Sequence, residues 1–180
     1  RGDWPNEGLR TWTRVQRILI TSSRQNGVKL MQTATFRFLA FIIVQRLSEL
    51  VIAKVNTKRL LARGAYEVGA RHYPVMVAMH SIWIGCLLFF GYGEAVSYGW
   101  LAIFALLQVL RIWILGTLGA RWTTRIIIMP EPLVVRGPFR FLKHPNYTLV
   151  VAEIIVAPMV LHLVWVAVVF TVSNAAMLWV

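Results

Sequence analysis

Three long stretches of this sequence contain almost no charge, and they limit what the chain can fold into. Residues 74–92 have no Asp, Glu, Lys or Arg, residues 96–118 have only Arg111, and residues 148–180 have only Glu153. In lipid every backbone polar group must bond internally, so a span needs about 20 consecutive, mostly apolar residues in a helix. The sequence therefore predicts a polytopic transmembrane helical bundle of the all-α class.

About five membrane helices are predicted from these runs and from a less apolar run before them. The last run has 33 residues, too long for one untilted span. Pro158 divides it, because proline lacks the N–H and clashes with the preceding helical turn. We therefore expect the last two helices to form a tight hairpin. The predicted spans are Phe36–Ala53, Pro74–Tyr92, Val96–Leu118, Pro145–Ala157 and His162–Val180.

Basic residues lie in the connections between the apolar runs and not on one folded face. The net charge is +12; the connections 54–73 and 119–144 carry five Lys or Arg residues each, and the connection 92–95 carries none. Lys and Arg concentrate in cytoplasmic loops close to anionic lipid. We therefore expect 54–73 and 119–144 on the cytoplasmic side, with membrane lipid and not nucleic acid as the partner of these charges.

The first 30 residues differ from the rest of the chain. They are polar, carry six Lys or Arg residues, and lack the apolar core of a secretory signal. The predicted topology puts them outside, where so many basic residues are unusual, and this conflict disappears if the native chain starts at Met31. We interpret residues 1–30 as a non-native or disordered basic leader and residues 31–180 as the membrane domain.

Ionisable residues inside the predicted spans are candidates for function, because a charge at mid-bilayer costs on the order of 2.5–3.5 kcal/mol on insertion scales. Arg46 and Glu49 share one face of a helix. They either form a structural pair or line an acceptor pocket together with Arg111. Glu153 either pairs with Arg111 or faces the reaction centre. The sequence leaves both questions open.

No metal site is predicted. Cys86 is the single cysteine and lies in the middle of a span, which excludes a disulfide framework and a cysteine metal site. His80 and His162 have no metal-ligand partners at usable spacing. We interpret both as packing or interface histidines.

The second basic connection runs into the fourth span through a segment that suits a polar ligand. Pro145 has its φ preset for the first helical turn, so His144 falls near the N-cap. Free N–H groups and the positive end of the helix dipole attract anions there. Arg140 and Lys143 add charge, and Tyr147 adds an aromatic face. A zwitterionic ligand with a flat base fits this pattern, and so does a basic juxtamembrane loop.

The same segment carries a motif that narrows the choice. Its residues, in chain order, are Gly137, Pro138, Phe139, Arg140, Lys143, His144, Pro145, Asn146 and Tyr147. The run resembles the G-P-[YF]-R-x-x-[RK]-H-P-x-Y motif of the isoprenylcysteine carboxyl methyltransferase family, and the likeness covers about residues 45–180. The resemblance implies an integral-membrane methyltransferase that uses S-adenosylmethionine. It implies cofactor contacts from Gly137, Arg140, His144, Pro145, Asn146 and Tyr147.

Three further stretches, 45–50, 64–69 and 72–74, are similar to a bacterial branch of this family. Members of that branch are similar to O-methyltransferases of alkylpyrones and alkylresorcinols, the lipidic phenols made by type III polyketide synthases. The resemblance thus implies a lipophilic acceptor, a functional link to such a synthase, and a cofactor site on the cytoplasmic face of the bacterial membrane. The family pattern continues past Val180 into an acidic pair, so we expect a C-terminal truncation.

If the reaction is methyl transfer, the intramembrane charges are the catalytic candidates. Arg46 or Arg111 would stabilise an acceptor oxyanion, and Glu49 or Glu153 would accept its proton.

Three alternatives to this function remain. The first is the same enzyme type with a prenylcysteine carboxylate or a phospholipid amine as the acceptor. A sterol-reductase-like oxidoreductase with a similar His-Pro-Asn-Tyr stretch would use NADPH. A non-catalytic membrane scaffold or small transporter would use neither.

Overall fold

The computed structural model describes residues 4–130, 132 and 134–179, with the backbone alone for most residues before Lys29 and for Leu178. These described residues contain five α-helices. The helices are α1 (Trp4–Ala62), α2 (Tyr73–Gly91), α3 (Tyr98–Leu118), α4 (Pro145–Val160) and α5 (Val164–Trp179). α4 packs between α3 and α5, and α5 packs against α2.

Two of the helices in the described residues are long and apolar enough to cross a membrane. They are Tyr73–Gly91 and Tyr98–Arg121, with mean hydropathies of 1.7 and 2.0. Large apolar side chains on both remain outside the bundle; Phe89 is 80% exposed and Ile112 is 73% exposed. Apolar surface of this extent is typical of contact with lipid or a partner. α4 and α5 are apolar but shorter, so the prediction of five spans stays a prediction.

The first helix is longer than the predicted span Phe36–Ala53. It runs from Trp4 through residue 30 without a break and ends at Ala62, so part of the predicted connection 54–73 is helical. Residues 1–3 lie outside the described residues, and the division into a leader and a membrane domain stays a prediction. The extension past Ala53 is tied down by Asn56, whose side-chain amide donates to the carbonyls of Gly119 at 3.2 Å and Trp122 at 2.8 Å.

The end of α1 is set by a glycine. The Gly64 N–H donates to the Leu61 carbonyl at 3.1 Å, and the Ala65 N–H donates to the Leu60 carbonyl at 3.2 Å. Gly64 has a φ of +86°. This pattern of two backbone bonds around a left-handed glycine satisfies the last carbonyls of a helix and stops it. The connection to α2 therefore begins after Ala62, not at residue 54.

The predicted break at Pro158 lies three residues too early, because the fourth span was predicted to end at Ala157 and α4 ends at Val160. α4 continues through Pro158 to Val160, and α5 begins at Val164 instead of His162. Proline removes one N–H from the helix but leaves its own carbonyl free. The Pro158 carbonyl accepts from the N–H groups of both Leu161 and Leu163, while His162 takes a φ of +58°. The chain reverses there, so the predicted hairpin of two helices is present.

Two three-residue strands depart from the all-α prediction. β1 (Tyr66–Val68) and β2 (Ile126–Ile128) pair antiparallel, with Glu67 opposite Ile127. The pair joins the α1–α2 connection to the α3–α4 connection. The two connections that we predict on the cytoplasmic side are therefore in contact at the same end of the bundle.

Apolar side chains form two clusters along the bundle. The larger one includes Phe38 and Ile42 of α1, Trp83 of α2, Phe104 of α3 and Ile154 of α4. The smaller one lies nearer the strand pair and consists of Ala53, Ile114, Trp122 and Leu149. Along α1, α3 and α4, the charged residues that the sequence singles out fall between the two clusters.

Candidate functional site

The four intramembrane charges meet in one network between the apolar clusters. Arg46 donates to Glu49 at 3.2 Å and to Glu153 at 2.9 Å. Arg111 donates to Glu49 at 2.6 Å and through Nε to Glu153 at 2.8 Å, with a further bond from Nη2 to Glu153. Both pairs considered in the sequence, Arg46–Glu49 and Arg111–Glu153, are formed. The net charge of the four side chains is zero, which lowers the cost of burying them.

The two carboxylates use most of their acceptor capacity inside this network. Gln45 adds a bond to Glu49 at 3.1 Å, and Gln108 adds one to Glu153 at 3.0 Å. An ionised carboxylate has about four lone-pair sites. Glu153, 1% exposed, accepts four bonds and Glu49 accepts three. Glu153 has no acceptor site left for a proton or a ligand.

The two arginines have N–H donors that the network does not use. A guanidinium has five N–H donors; in the described residues Arg46 uses two of them and Arg111 uses three. The Arg46 guanidinium also lies 5.7 Å from the centre of the Trp83 ring, within cation–π range. The network can therefore add hydrogen bonds to an anionic oxygen more readily than it can accept a proton.

A cleft with an accessible volume of about 180 Å³ joins this network to the motif at the start of α4. Arg46, Glu49 and Arg111 line its inner end. Asn146 and Tyr147 line it as well, and Glu153 is not among the described residues that do. The apolar and weakly polar part of the wall comes mainly from α1, α2 and α5: Leu50, Met76, Val77, Ile84 and Met177.

At the strand pair the cleft wall is held by Arg125. Its guanidinium donates to both oxygens of Glu67, at 3.0 and 2.8 Å, and stacks 4.2 Å from the centre of the Tyr73 ring. The Tyr73 hydroxyl is 3.2 Å from the Thr124 hydroxyl. Hydrogen bonding to Glu67 and the negative charge of that carboxylate raise the pKa of Arg125 above its ordinary value, with a further contribution from Tyr73. Arg125 and Tyr73 both line the cleft.

Gly137 occupies a position that only glycine fits without strain. Its φ is +60°, and a Cβ there would lie 2.6 Å from the Thr117 hydroxyl oxygen and 3.3 Å from the Trp113 indole nitrogen. The 3-10 turn Gly137–Arg140 thereby packs directly on α3. Gly137 sets the position of the loop, and the structure places it away from the cleft wall.

The other predicted cofactor residues divide between the cleft and its surroundings. Pro145 is buried at the first position of α4, and His144 is exposed at its N-cap. The rings of His144 and Tyr147 meet edge to face with centroids 5.8 Å apart. The Asn146 side-chain oxygen accepts from the Trp122 indole N–H at 3.4 Å. Arg140 is exposed and outside the described cleft wall.

One cleft residue was interpreted from sequence as mere packing. His80 lines the cleft beside Arg46 and Arg111. Its Nδ1 is 2.9 Å from the carbonyl oxygen of Met76. The spacing of Tyr73, Val77 and His80 along α2 puts them on one helical face, and this stripe was the signal available in the sequence.

Comparison with known proteins identifies the family of this chain. The isoprenylcysteine carboxyl methyltransferase family model matches residues 100–180, which contain α3, the motif loop, α4 and α5. The chain belongs to this family. "Uncharacterized protein YpbQ" of Bacillus subtilis (strain 168) is 35% identical over 146 residues, covering 78% of this chain and 87% of that protein. No solved structure matches the chain.

A second relative comes from Haemophilus influenzae (strain ATCC 51907 / DSM 11121 / KW20 / Rd), under the name "Uncharacterized protein". It is 27% identical over 123 residues, covering 64% of this chain and 72% of the relative. Membership of the isoprenylcysteine carboxyl methyltransferase family implies a membrane methyltransferase, and methyltransferases of this family use S-adenosylmethionine. The two long apolar helices agree with a membrane protein.

Proposed function

We propose that this chain transfers a methyl group from S-adenosylmethionine to an oxygen of a lipophilic acceptor, an alkylpyrone or alkylresorcinol of the kind made by type III polyketide synthases. The observation that carries the proposal is the single cleft that joins the family motif at Asn146 and Tyr147 to the arginines of the interior network. The polar methyl donor and the lipophilic acceptor must lie in one connected space for the methyl group to pass between them.

The residues around the start of α4 fit S-adenosylmethionine. Tyr147 offers an aromatic face for the adenine, and His144 braces that ring from outside the cleft. The free N–H groups at the start of α4 suit the carboxylate end of the molecule, and Asn146 offers an amide. When bound, S-adenosylmethionine supplies the electrophilic methyl group. We assign its binding to this corner, with Gly137 and Pro145 fixing the backbone and Arg140 adding positive charge.

The inner half of the cleft fits the acceptor. Methionine, leucine, isoleucine and valine side chains provide an apolar wall next to Arg46 and Arg111. A lipid tail would lie along the apolar wall, and the reacting oxygen would lie near the two guanidinium groups, which stabilise negative charge on it. The carboxylates use most of their acceptor sites within the network, whereas the guanidinium groups keep unused N–H donors. The network therefore suits an acceptor oxygen better than an amine, and oxygen methylation is preferred over phospholipid N-methylation.

The membrane arrangement that goes with this function has five spans and both strands on the cytoplasmic side. S-adenosylmethionine then enters from the cytoplasm past the strand pair, and the acceptor enters sideways from the bilayer. The basic connections between α1 and α2 and between α3 and α4 support this orientation through the excess of Lys and Arg in cytoplasmic loops.

The test is transfer of labelled methyl groups in membranes that contain the full-length protein. Labelled S-adenosylmethionine is offered with alkylpyrones, alkylresorcinols and prenylcysteines, and NADPH binding is measured in parallel. We expect label in the alkylpyrone or alkylresorcinol product and its loss in the double variant His144→Ala, Tyr147→Ala. Transfer that survives this double substitution, or binding of NADPH in place of S-adenosylhomocysteine, contradicts the proposal.

A further inference from the structure

Methyl transfer to a hydroxyl group releases a proton, and the structure restricts where that proton can go. Seven hydrogen bonds from Arg46, Arg111, Gln45 and Gln108 occupy the carboxylates of the interior network. Protonating either glutamate would break bonds to an arginine and leave a buried cation uncompensated. Neither carboxylate is arranged as a general base.

Other titratable groups face the same space. They come from α1, α2, α3, α4 and the loop before β2: Arg46, Glu49, Tyr73, His80, Arg111, Arg125 and Tyr147. Glu153 of α4 lies directly behind the two arginines. Arginine stays protonated in proteins, and the Tyr73 hydroxyl is paired with Thr124. Histidine is the side chain in this group that exchanges a proton near neutral pH.

His80 is held in the form that a general base requires. Its Nδ1 lies 2.9 Å from the Met76 carbonyl oxygen, which can only accept a hydrogen bond. Nδ1 therefore carries the hydrogen in the neutral ring, and Nε2 carries the lone pair. Nε2 has no hydrogen-bond partner among the residues that the structure describes. The side chain is half-buried and lines the cleft beside both arginines.

We propose that His80 is the catalytic base that takes the proton from the acceptor hydroxyl, while the glutamates of the network position Arg46 and Arg111. This inference rests on the proposed transfer to oxygen. The hydroxyl proton moves to Nε2, and an electron pair of the oxygen forms the bond to the methyl carbon. The carbon–sulfur bond breaks with its electron pair left on sulfur. The imidazolium then returns its proton to water through the polar mouth of the cleft.

A base matters most for an acceptor that is not yet ionised, and this gives a selective test. A 5-alkylresorcinol is a weak acid, like the phenol of tyrosine with a pKa of about 10. A 6-alkyl-4-hydroxy-2-pyrone with the same alkyl chain is a vinylogous carboxylic acid and is ionised at neutral pH. The variant His80→Asn should lower kcat/KM for the resorcinol by about 10²–10⁴-fold. The loss for the pyrone should be less than about tenfold.

The matched control is His162→Asn in the turn between α4 and α5. His162 is exposed with a φ of +58°, which asparagine tolerates, so both rates should stay at the wild-type value. A folding defect in His80→Asn lowers the two rates equally and leaves their ratio unchanged. The ratio therefore separates loss of the base from loss of structure, and binding of S-adenosylhomocysteine reports the folded fraction.

A second readout is the pH profile of kcat/KM for the resorcinol. In wild type the rate should fall as pH drops through the titration range of an imidazole and should be level above that range. In His80→Asn the rate should instead rise with pH toward the phenol's pKa of about 10, because the substrate then supplies its own oxyanion. Equal losses for both acceptors, or the same pH profile in wild type and variant, overturn the assignment of His80. No transfer by the wild-type protein to either hydroxyl overturns the proposed function, and the assignment falls with it.

Discussion

The polar groups of the interior network bond to one another, whereas those at the start of α4 face the cleft or solvent. Arg46, Arg111 and the two glutamates share their hydrogen bonds between two apolar clusters. Tyr147 is 39% exposed and His144 is exposed at the N-cap. The hydrogen bonds within the network stabilise the packing of α1, α3 and α4, whereas the polar groups at the start of α4 remain available to a ligand. Substitutions in the network should therefore mainly change stability, and substitutions at the start of α4 should mainly change the binding of S-adenosylmethionine.

The largest effect is expected from opening the network. Glu153→Leu removes three bonds from Arg46 and Arg111 and leaves the buried Arg111 and the half-buried Arg46 with one carboxylate. Loss of one partner of a buried ion pair costs about 3–5 kcal/mol, so the free energy of unfolding should fall by that amount. Denaturation in mixed detergent micelles measures it. A loss no larger than that of Glu67→Leu, the same substitution at the partly exposed Arg125 pair, contradicts the account.

The next effect should appear in binding and not in stability. Tyr147→Ala removes the aromatic face assigned to adenine, and base stacking on an aromatic side chain is worth about 1–3 kcal/mol. The Kd for S-adenosylhomocysteine should therefore rise roughly five- to 150-fold, with unfolding close to wild type. Calorimetry on detergent-solubilised protein checks this. Tyr92→Ala, at a site 72% exposed after α2, is the control; an equal shift there would remove Tyr147 from the site.

The loop that carries the motif should be sensitive at one glycine. Gly137→Ala places a Cβ 2.6 Å from the Thr117 hydroxyl oxygen at a φ of +60°. We expect a loss of about 1–3 kcal/mol in unfolding free energy from this overpacking, partly restored by Thr117→Ala. The control is Gly116→Ala in α3, where an added Cβ would have no atom within 4 Å. Similar unfolding curves for the two alanine variants would show that the contact with α3 is unimportant.

The smallest effect belongs to the strand pair. Glu67→Leu breaks a pair whose arginine side chain is 37% exposed, and such pairs contribute about 0–1 kcal/mol. Hydrogen bonding to Glu67 raises the pKa of Arg125 above its ordinary value, so the stabilising effect of the pair is fully present at neutral and mildly alkaline pH and is lost only in strong base. Wild type and variant should therefore show parallel unfolding energies between about pH 6 and 9. A pH-dependent gap in that range would assign Glu67 a different partner.

The sequence predicted helices well where composition alone determines them. α2 and α3 begin and end within two residues of the predicted spans, because charged residues and turn glycines flank runs that contain almost no charge. The extension of α1 past Ala53 was missed because it is anchored by a hydrogen bond from Asn56 to the carbonyl of Trp122, 66 residues away. The strand pair was missed for the same reason: each strand has three residues, and its partner lies in another connection.

The assignment of the site residues stays a prediction, and the sequence anticipates only part of their arrangement. Arg46, Glu49, Arg111 and Glu153 were singled out because charges in apolar runs are conspicuous, but the hydrogen bonds among them depend on the packing of three helices. The motif residues were proposed by resemblance, which does not distinguish Tyr147 in the cleft from Gly137 on α3. His80 was passed over because a histidine in an apolar run has no sequence signal for its tautomer, which the Met76 carbonyl fixes.

The central claim is that the α4 corner and the interior arginines are two ends of one cleft. The most direct measurement is the affinity of a bisubstrate ligand, an S-adenosylhomocysteine analogue whose sulfur is joined by a short linker to an alkylphenol. Because linked groups bind with a high effective concentration, we expect about 10²-fold or more tighter binding than S-adenosylhomocysteine alone. Both Tyr147→Ala and Arg111→Lys should weaken it. A ligand that binds no more tightly than S-adenosylhomocysteine would contradict the claim.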